Sequence, residues 1–265
     1  MFGLFKKPRK LGISLSGGGA KSVIYLGVLK ALEDNGITIE VIAGLSGGSL
    51  IAGLIGSGKT VDQVIDIATG IDYNRLLDLN PFDGFELVDQ AKFYDLVKSF
   101  AGDKRFEDCI TKTIIFTTDL NARKAEIITS GELASAMVSS CCLPPVLQPF
   151  LRDGKLLAEG GFTVYYGAQY LRAAGAEVVI GSDVDGFNSF KLPGIIEALR
   201  SGISATINSN SEYEKRLFPV DIEIKNFPDH TSMFEFQKAG RDLVKLGYEH
   251  TLEFMPQIKK LVHVK

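Results

Sequence analysis

Two glycine turns, each placed where an apolar run passes into an amphipathic one, constrain this chain more than any other feature. Lys10 to Leu15 reads as a short buried strand and runs into Ser16-Gly17-Gly18-Gly19. From about Ala20 to Asp34 the residues Val23, Leu26, Val28, Leu29 and Leu32 fall at helical spacing, and Asn35-Gly36 ends that run. Ile37 to Ala43 then reads as a second strand and Gly44-Leu45-Ser46-Gly47-Gly48 as a second sharp turn, with a helix expected from about Ser49 to Ile55. Successive strand–turn–helix units predict an α/β fold whose central sheet is mainly parallel and covered by helices. Neighbouring parallel strands launch their helices from one edge of the sheet, so both turns are expected side by side where such folds place their sites.

Further along, Thr60-Val-Asp-Gln63 has the form of a capping box opening another helix. Residues 72 to 112 are polar and mixed, which suits helices and loops beside the sheet. Thr113 to Thr118 and Val178 to Asp183 are apolar enough to be buried strands. A final helix is expected from Phe234 to Phe254, ended by Pro256. No linker interrupts the chain, so a basic N-terminal tail (1–10) followed by one α/β domain (11–265) is the expected organisation.

Charge and cysteine use narrow the function. Lys6, Lys7, Arg9 and Lys10 put four positive charges and no acid in the first ten residues, so the remainder is acidic and nucleic acid is not an expected partner. The three cysteines, Cys109, Cys141 and Cys142, form neither a disulfide framework nor a zinc spacing, which points to a reducing compartment. The uncharged stretches 41–58 and 133–151 carry six glycines and three prolines respectively, unlike a spanning helix. The basic residues follow Phe2-Gly3-Leu4-Phe5, the reverse of a secretory signal, so a cytoplasmic protein is expected. Phe2, Leu4 and Phe5 beside those charges could rest peripherally on an anionic membrane surface, the alternative being a frayed tail.

The chemistry concentrates at the second turn. A serine on a strained strand-to-helix turn projects its hydroxyl out of the sheet, and the glycines around it avoid clashes with neighbouring strand and helix; this makes Ser46 a candidate nucleophile. The amides of Gly17, Gly18 and Gly19 could hold the oxyanion formed when Ser46 attacks a carbonyl, or they could cradle a phosphate. The segment Gly53 to Thr60 satisfies a P-loop pattern, but it ends a helix instead of following a strand, so no nucleotide is expected. Asp83, Glu86 and Asp89 have the spacing of a solvated helix face more than of a metal site. The histidines, His230, His250 and His263, all lie near the C-terminus, and a Ser-acid-His order remains open through His230.

Taken together, Ser16-Gly-Gly-Gly-Ala-Lys21 and Gly44-Leu-Ser-Gly-Gly48, with Gly27-Val-Leu-Lys-Ala-Leu-Glu33, Thr117-Thr-Asp-Leu-Asn121, Leu143-Pro-Pro145 and Gly175-Ala-Glu-Val-Val-Ile-Gly-Ser-Asp183, resemble a patatin-like phospholipase in order and spacing over roughly residues 10 to 190. The resemblance implies a three-layer α/β/α patatin-like fold, a Ser–carboxylate dyad, an acyl lipid substrate and no metal or organic cofactor. It places the acid in Glu159-Gly160-Gly161, where the family usually has aspartate. The extra methylene moves the carboxylate by about 1 Å, a displacement able to cost roughly a hundredfold in rate. Asp153 is the nearby alternative, although Arg152-Asp-Gly154 reads as a hairpin turn. Thr163-Val-Tyr-Tyr-Gly167 also departs from the family, which often carries an Asn-Pro pair there. Lys21 fits the family and either shapes the glycine turn or is a solvated lysine. A catalytically impaired acyl-binding protein and an acyltransferase remain the alternatives to a hydrolase.

Overall fold

A computed structural model describes residues 7–71, 88–144, 146–184, 194–227 and 236–264. The first strand, β1 (Leu11–Leu15), is buried throughout and leads through the first glycine turn into a short 3-10 turn and α1 (Ile24–Asp34). The second unit follows the same plan with β2 (Ile39–Gly44) and α2 (Gly47–Gly56). Next comes α3 (Val61–Gly70), whose start is the expected capping box: Thr60 Oγ1 accepts from Gln63 N while Gln63 Oε1 accepts from Thr60 N. Beyond it lie α4 (Gln90–Ala101), β3 (Lys112–Asp119), β4 (Lys124–Ile128), α5 (Leu133–Ser140), the hairpin β5 (Phe150–Arg152) and β6 (Lys155–Ala158), and α6 (Ala168–Ala173). The chain finishes with β7 (Val178–Val184), α7 (Gly194–Leu217), β8 (Ile222–Asn226) and α8 (Phe236–Val262).

The sheet runs β5-β6-β3-β2-β1-β7-β8, with β4 also paired to β3. Its central strands β3-β2-β1-β7-β8 are parallel, while β4, β5 and β6 add an antiparallel margin. Alternating side chains divide between two apolar clusters. Leu11, Ile13, Leu15, Ile42 and Ile115 pack toward α1, α2, α3 and α8. Val41, Ala43, Ile114, Phe116 and Val179 pack toward Ala168 and Leu171 of α6. Helices therefore cover both faces, and the fold is the three-layer α/β/α arrangement.

The layer carrying α1 is closed by α8, and the two helices meet backbone to backbone. A Cβ on Gly27 would lie 1.9 Å from the Val244 carbonyl oxygen, and one on Gly247 would lie 2.1 Å from that of Ile24. Only glycine permits this approach. The expected helix stop at Pro256 is corrected by the structure, since α8 continues to Val262 with the proline inside it. Met255, Ile258 and Val262 are buried on the core side, so packing holds the last turns although Pro256 contributes no N–H. The uncharged stretch from Leu133 contains α5, all of whose residues are buried, which makes that part core.

Candidate active site

Strand pairing explains why two residues 113 positions apart meet. Ile115 pairs with Gly44 of β2 and with Ile128 of β4, so β2 and β4 occupy opposite edges of β3. Thr118 and Asp119 pair with β4 and with β6, which places β6 on the edge that β2 has just left. The two strands thus approach end to end along one edge of β3. Ser46 follows the end of β2, and Glu159 follows the end of β6.

Ser46 occupies a strained conformation at φ 50° and ψ −133°, immediately before α2. Its N–H donates to Ser140 Oγ at 2.8 Å, and that hydroxyl donates to the Phe116 carbonyl at 2.6 Å, tying the turn to α5 and β3. Its carbonyl accepts from Ser49 N at 2.9 Å and Ser49 Oγ at 2.6 Å. The two glycine turns lie against each other: a Cβ on Gly47 would be 2.5 Å from the Gly19 carbonyl oxygen, and one on Gly48 would be 2.4 Å from that of Leu15. Ser46 therefore sits at the positive end of α2, with its Oγ 3.8 Å from where a Gly17 Cβ would stand.

Glu159 is 2% exposed. Its backbone is anchored by Glu159 N donating to Cys142 O at 2.9 Å and by Thr118 Oγ1 donating to Glu159 O at 2.9 Å. Its side chain turns over the 3-10 segment Gly160–Phe162, where Oε1 accepts from Gly161 N at 3.1 Å. Burial pushes its pKa up to about 7, against the opposing pull of the Gly161 amide and the Ser46 hydroxyl.

Among the described residues, the amides of Gly17, Gly18 and Gly19 donate to no other group. Within the described residues they are donors left over beside a strained serine, which suits a developing oxyanion. A cleft of about 380 Å³ opens here, with Gly17, Leu45, Glu159 and Gly161 on one side and Ile207 and Lys215 of α7 on the other.

The remaining candidates are elsewhere. Asp153 is at the tip of the β5–β6 hairpin at φ 50°, exposed and paired with Arg152. Lys21 is buried, so it is not a solvated lysine. His250 contacts Asn226 Oδ1 at 3.2 Å and His263 contacts Lys7 O at 3.3 Å. His230, Asp83 and Glu86 lie outside the described residues, and Asp89 caps α4 through Lys92 N. The P-loop-like segment spans the end of α2, the following turn and the α3 cap. In Thr163 to Gly167, the amides of Tyr165, Tyr166 and Gly167 all donate to Glu214 of α7, at 2.7, 2.9 and 2.6 Å. Sequence reasoning missed Glu214 and Ser140, because their partners are 24 to 94 positions away and no local pattern marks them.

The profile of the patatin-like phospholipase family matches residues 13–167, a span holding both glycine turns and Glu159, and the chain belongs to that family. Among its curated relatives, lysophospholipase nte1 of Emericella nidulans is 28% identical over 283 residues, covering 95% of this chain and 18% of its own. Patatin-like phospholipase domain-containing protein ZK370.4 of Caenorhabditis elegans is 31% identical over 185 residues, or 66% of this chain and 13% of its own. Neuropathy target esterase sws of Drosophila melanogaster is 30% identical over 184 residues, with the same shares. The chain spans less than a fifth of the length of these relatives. Among solved structures, VipD from Legionella pneumophila superposes with a TM-score of 0.60 at 15% identity, over 94% of this chain and 67% of that one. The type III effector protein ExoU gives 0.54 at 13% identity, over 95% and 53%. At these identities the likeness is one of fold.

Proposed function

We propose that this protein hydrolyses carboxylic esters of acyl lipids, such as phospholipids or lysophospholipids, through a Ser46–Glu159 dyad. The observation that carries this reading is a strained serine after β2 brought by strand pairing to a buried carboxylate after β6, beside three glycine amides that donate to nothing among the described residues. Ser46 Oγ attacks the ester carbonyl carbon while Glu159 takes its proton, and the Gly17–Gly19 amides hold the oxyanion. Collapse of the tetrahedral intermediate breaks the ester C–O bond, and Glu159 returns the proton to the departing alcohol. Water then attacks the acyl-Ser46 carbonyl with Glu159 again as base, releasing the carboxylic acid and the free serine. Family membership and the names of the relatives, lysophospholipase among them, support the lipid substrate.

Ser46→Ala is expected to abolish hydrolysis of short-chain esters and of a lysophospholipid, and labelling by a fluorophosphonate, with its melting temperature retained. Full turnover in that folded variant would refute the nucleophile. A second reading, an acyl-binding protein with little turnover, draws on the raised pKa of Glu159, which leaves the base largely protonated below neutral pH. Glu159→Asp separates the two. A rise of at least tenfold in kcat would identify glutamate as the impairing residue, whereas a fall would show the glutamate to be the fitted base.

A further inference from the structure

Beneath the first glycine turn lies a chain of hydroxyls that the reaction above does not use. Ser16 and Tyr25 are both buried, on β1's exit and on α1. Tyr25 Oη and Ser16 Oγ are 2.8 Å apart, and Ser16 Oγ donates to Asp183 Oδ1 at 2.8 Å. The other oxygen of Asp183 accepts from the Tyr165 hydroxyl. Asp183 stands near the end of β7, the strand parallel to β1, and Ser16 N donates to Ser182 O at 3.0 Å, so the two segments are held in register.

The network ends on one carbonyl. Gly17 O lies 3.2 Å from both Ser16 Oγ and Tyr25 Oη; with the one Ser16 proton on Asp183, the donor to this carbonyl is Tyr25, whose proton is shared between Gly17 O and Ser16 Oγ. Burial and the Asp183 charge push the Tyr25 pKa well above its ordinary value, so this hydroxyl keeps its proton and can donate. In a trans peptide the N–H of the next residue points opposite to the carbonyl. Holding Gly17 O toward the protein interior therefore fixes the Gly18 N–H in the opposite direction. Donation onto the carbonyl also polarises the amide and strengthens that N–H as a donor.

We infer that Tyr25, Ser16 and Asp183 form a positioning network that sets and polarises the Gly17–Gly18 peptide as an oxyanion donor. This inference rests on the ester-hydrolase reading of the site. None of the three residues touches the reacting atoms, and their effect is transmitted through the Gly18 amide. Asp183 is the acceptor that orients Ser16, and Tyr165 occupies its remaining oxygen from the cleft side.

Tyr25→Phe removes the hydroxyl at constant ring volume, and Asp183→Asn replaces a pure acceptor by a group that also donates. Losing one direct oxyanion donor lowers kcat by roughly 10²–10³. Loosening that donor should cost less, and we expect about a tenfold fall in kcat for each variant at unchanged KM. The double variant should be no worse than the poorer single one, since both act on one network. The amide resonance of Gly18 in protein labelled with ¹⁵N-glycine should shift in both variants, a measurement independent of turnover. Unaltered Gly18 resonances, or wild-type kcat in Tyr25→Phe, would overturn the inference. A wild-type protein inert to esters and to a fluorophosphonate, with Gly18 shifting as expected, would instead refute the hydrolase reading and leave the Gly18 positioning standing.

Discussion

Ser46 and Glu159 each hold an unfavourable state that the surrounding structure imposes. Positive φ at a non-glycine residue costs on the order of 1–3 kcal/mol. Ser46→Gly should therefore raise the melting temperature while eliminating ester turnover, which thermal denaturation and a hydrolysis assay would check together. For Glu159 the sign follows from its pKa, about 7 when folded against an ordinary value of 4.5. Between these values the folded protein binds more protons than the unfolded one. The contribution of this group to stability is full below about pH 4.5 and is lost as pH rises through 7. Glu159→Gln should accordingly stabilise the fold above pH 7, by up to about 3 kcal/mol, and flatten the pH dependence measured by denaturant titration. Activity should move the other way: kcat for an ester should climb as pH rises through about 7, since only the carboxylate accepts the serine proton. At this scale the sequence was legible wherever chemistry is local. Ser46 and Gly17–Gly19 announce themselves by flanking pattern, whereas Ser140, Asp183 and Glu214 contribute through partners brought close only by the folded sheet.

The elements read most clearly in sequence were those whose own periodicity decides them. β1, β2, β3 and β7 each carry an apolar run, and the Thr60 capping box satisfies two helix-end amides by itself. Thr60→Ala should cost about 1 kcal/mol in chemical denaturation. The β5–β6 hairpin was signalled by Arg152-Asp-Gly154, but the pairings of β4 and β6 to β3 were harder to anticipate, because short strands of mixed polarity gain their place from β3 and not from their own residues. α8 illustrates tertiary packing overriding a local stop signal. Pro256 is exposed within a continuous helix, so Pro256→Ala should restore a helix hydrogen bond and stabilise the protein by roughly 1–3 kcal/mol, seen as a higher melting temperature.

Over the whole molecule, the layer order follows from strand–helix alternation, but the closure of that layer by the C-terminal helix does not. The Gly27–Gly247 crossing joins α8 to the helix that leaves the first glycine turn. A methyl group at Gly247 would stand 2.1 Å from the Ile24 carbonyl oxygen, so Gly247→Ala should destabilise by more than about 2 kcal/mol. A variant with unchanged stability would show that α1 and α8 can separate freely. The end-to-end meeting of β2 and β6 has a different kind of consequence. Serine and acid ride on separate carriages along β3, and the carriage bearing the acid is a hairpin paired to its rail through Thr118 with Ala158 and Asp119 with Leu157, and pinned further by Leu120 N on Leu156 O and Thr118 Oγ1 on Glu159 O. The hairpin is a separate element from the nucleophile turn, so a longer carboxylic side chain calls for a shift of its own carrier and not of Ser46. Of the two partners in the proposed dyad, the acid is the one whose place is set by a hairpin and not by the start of a helix.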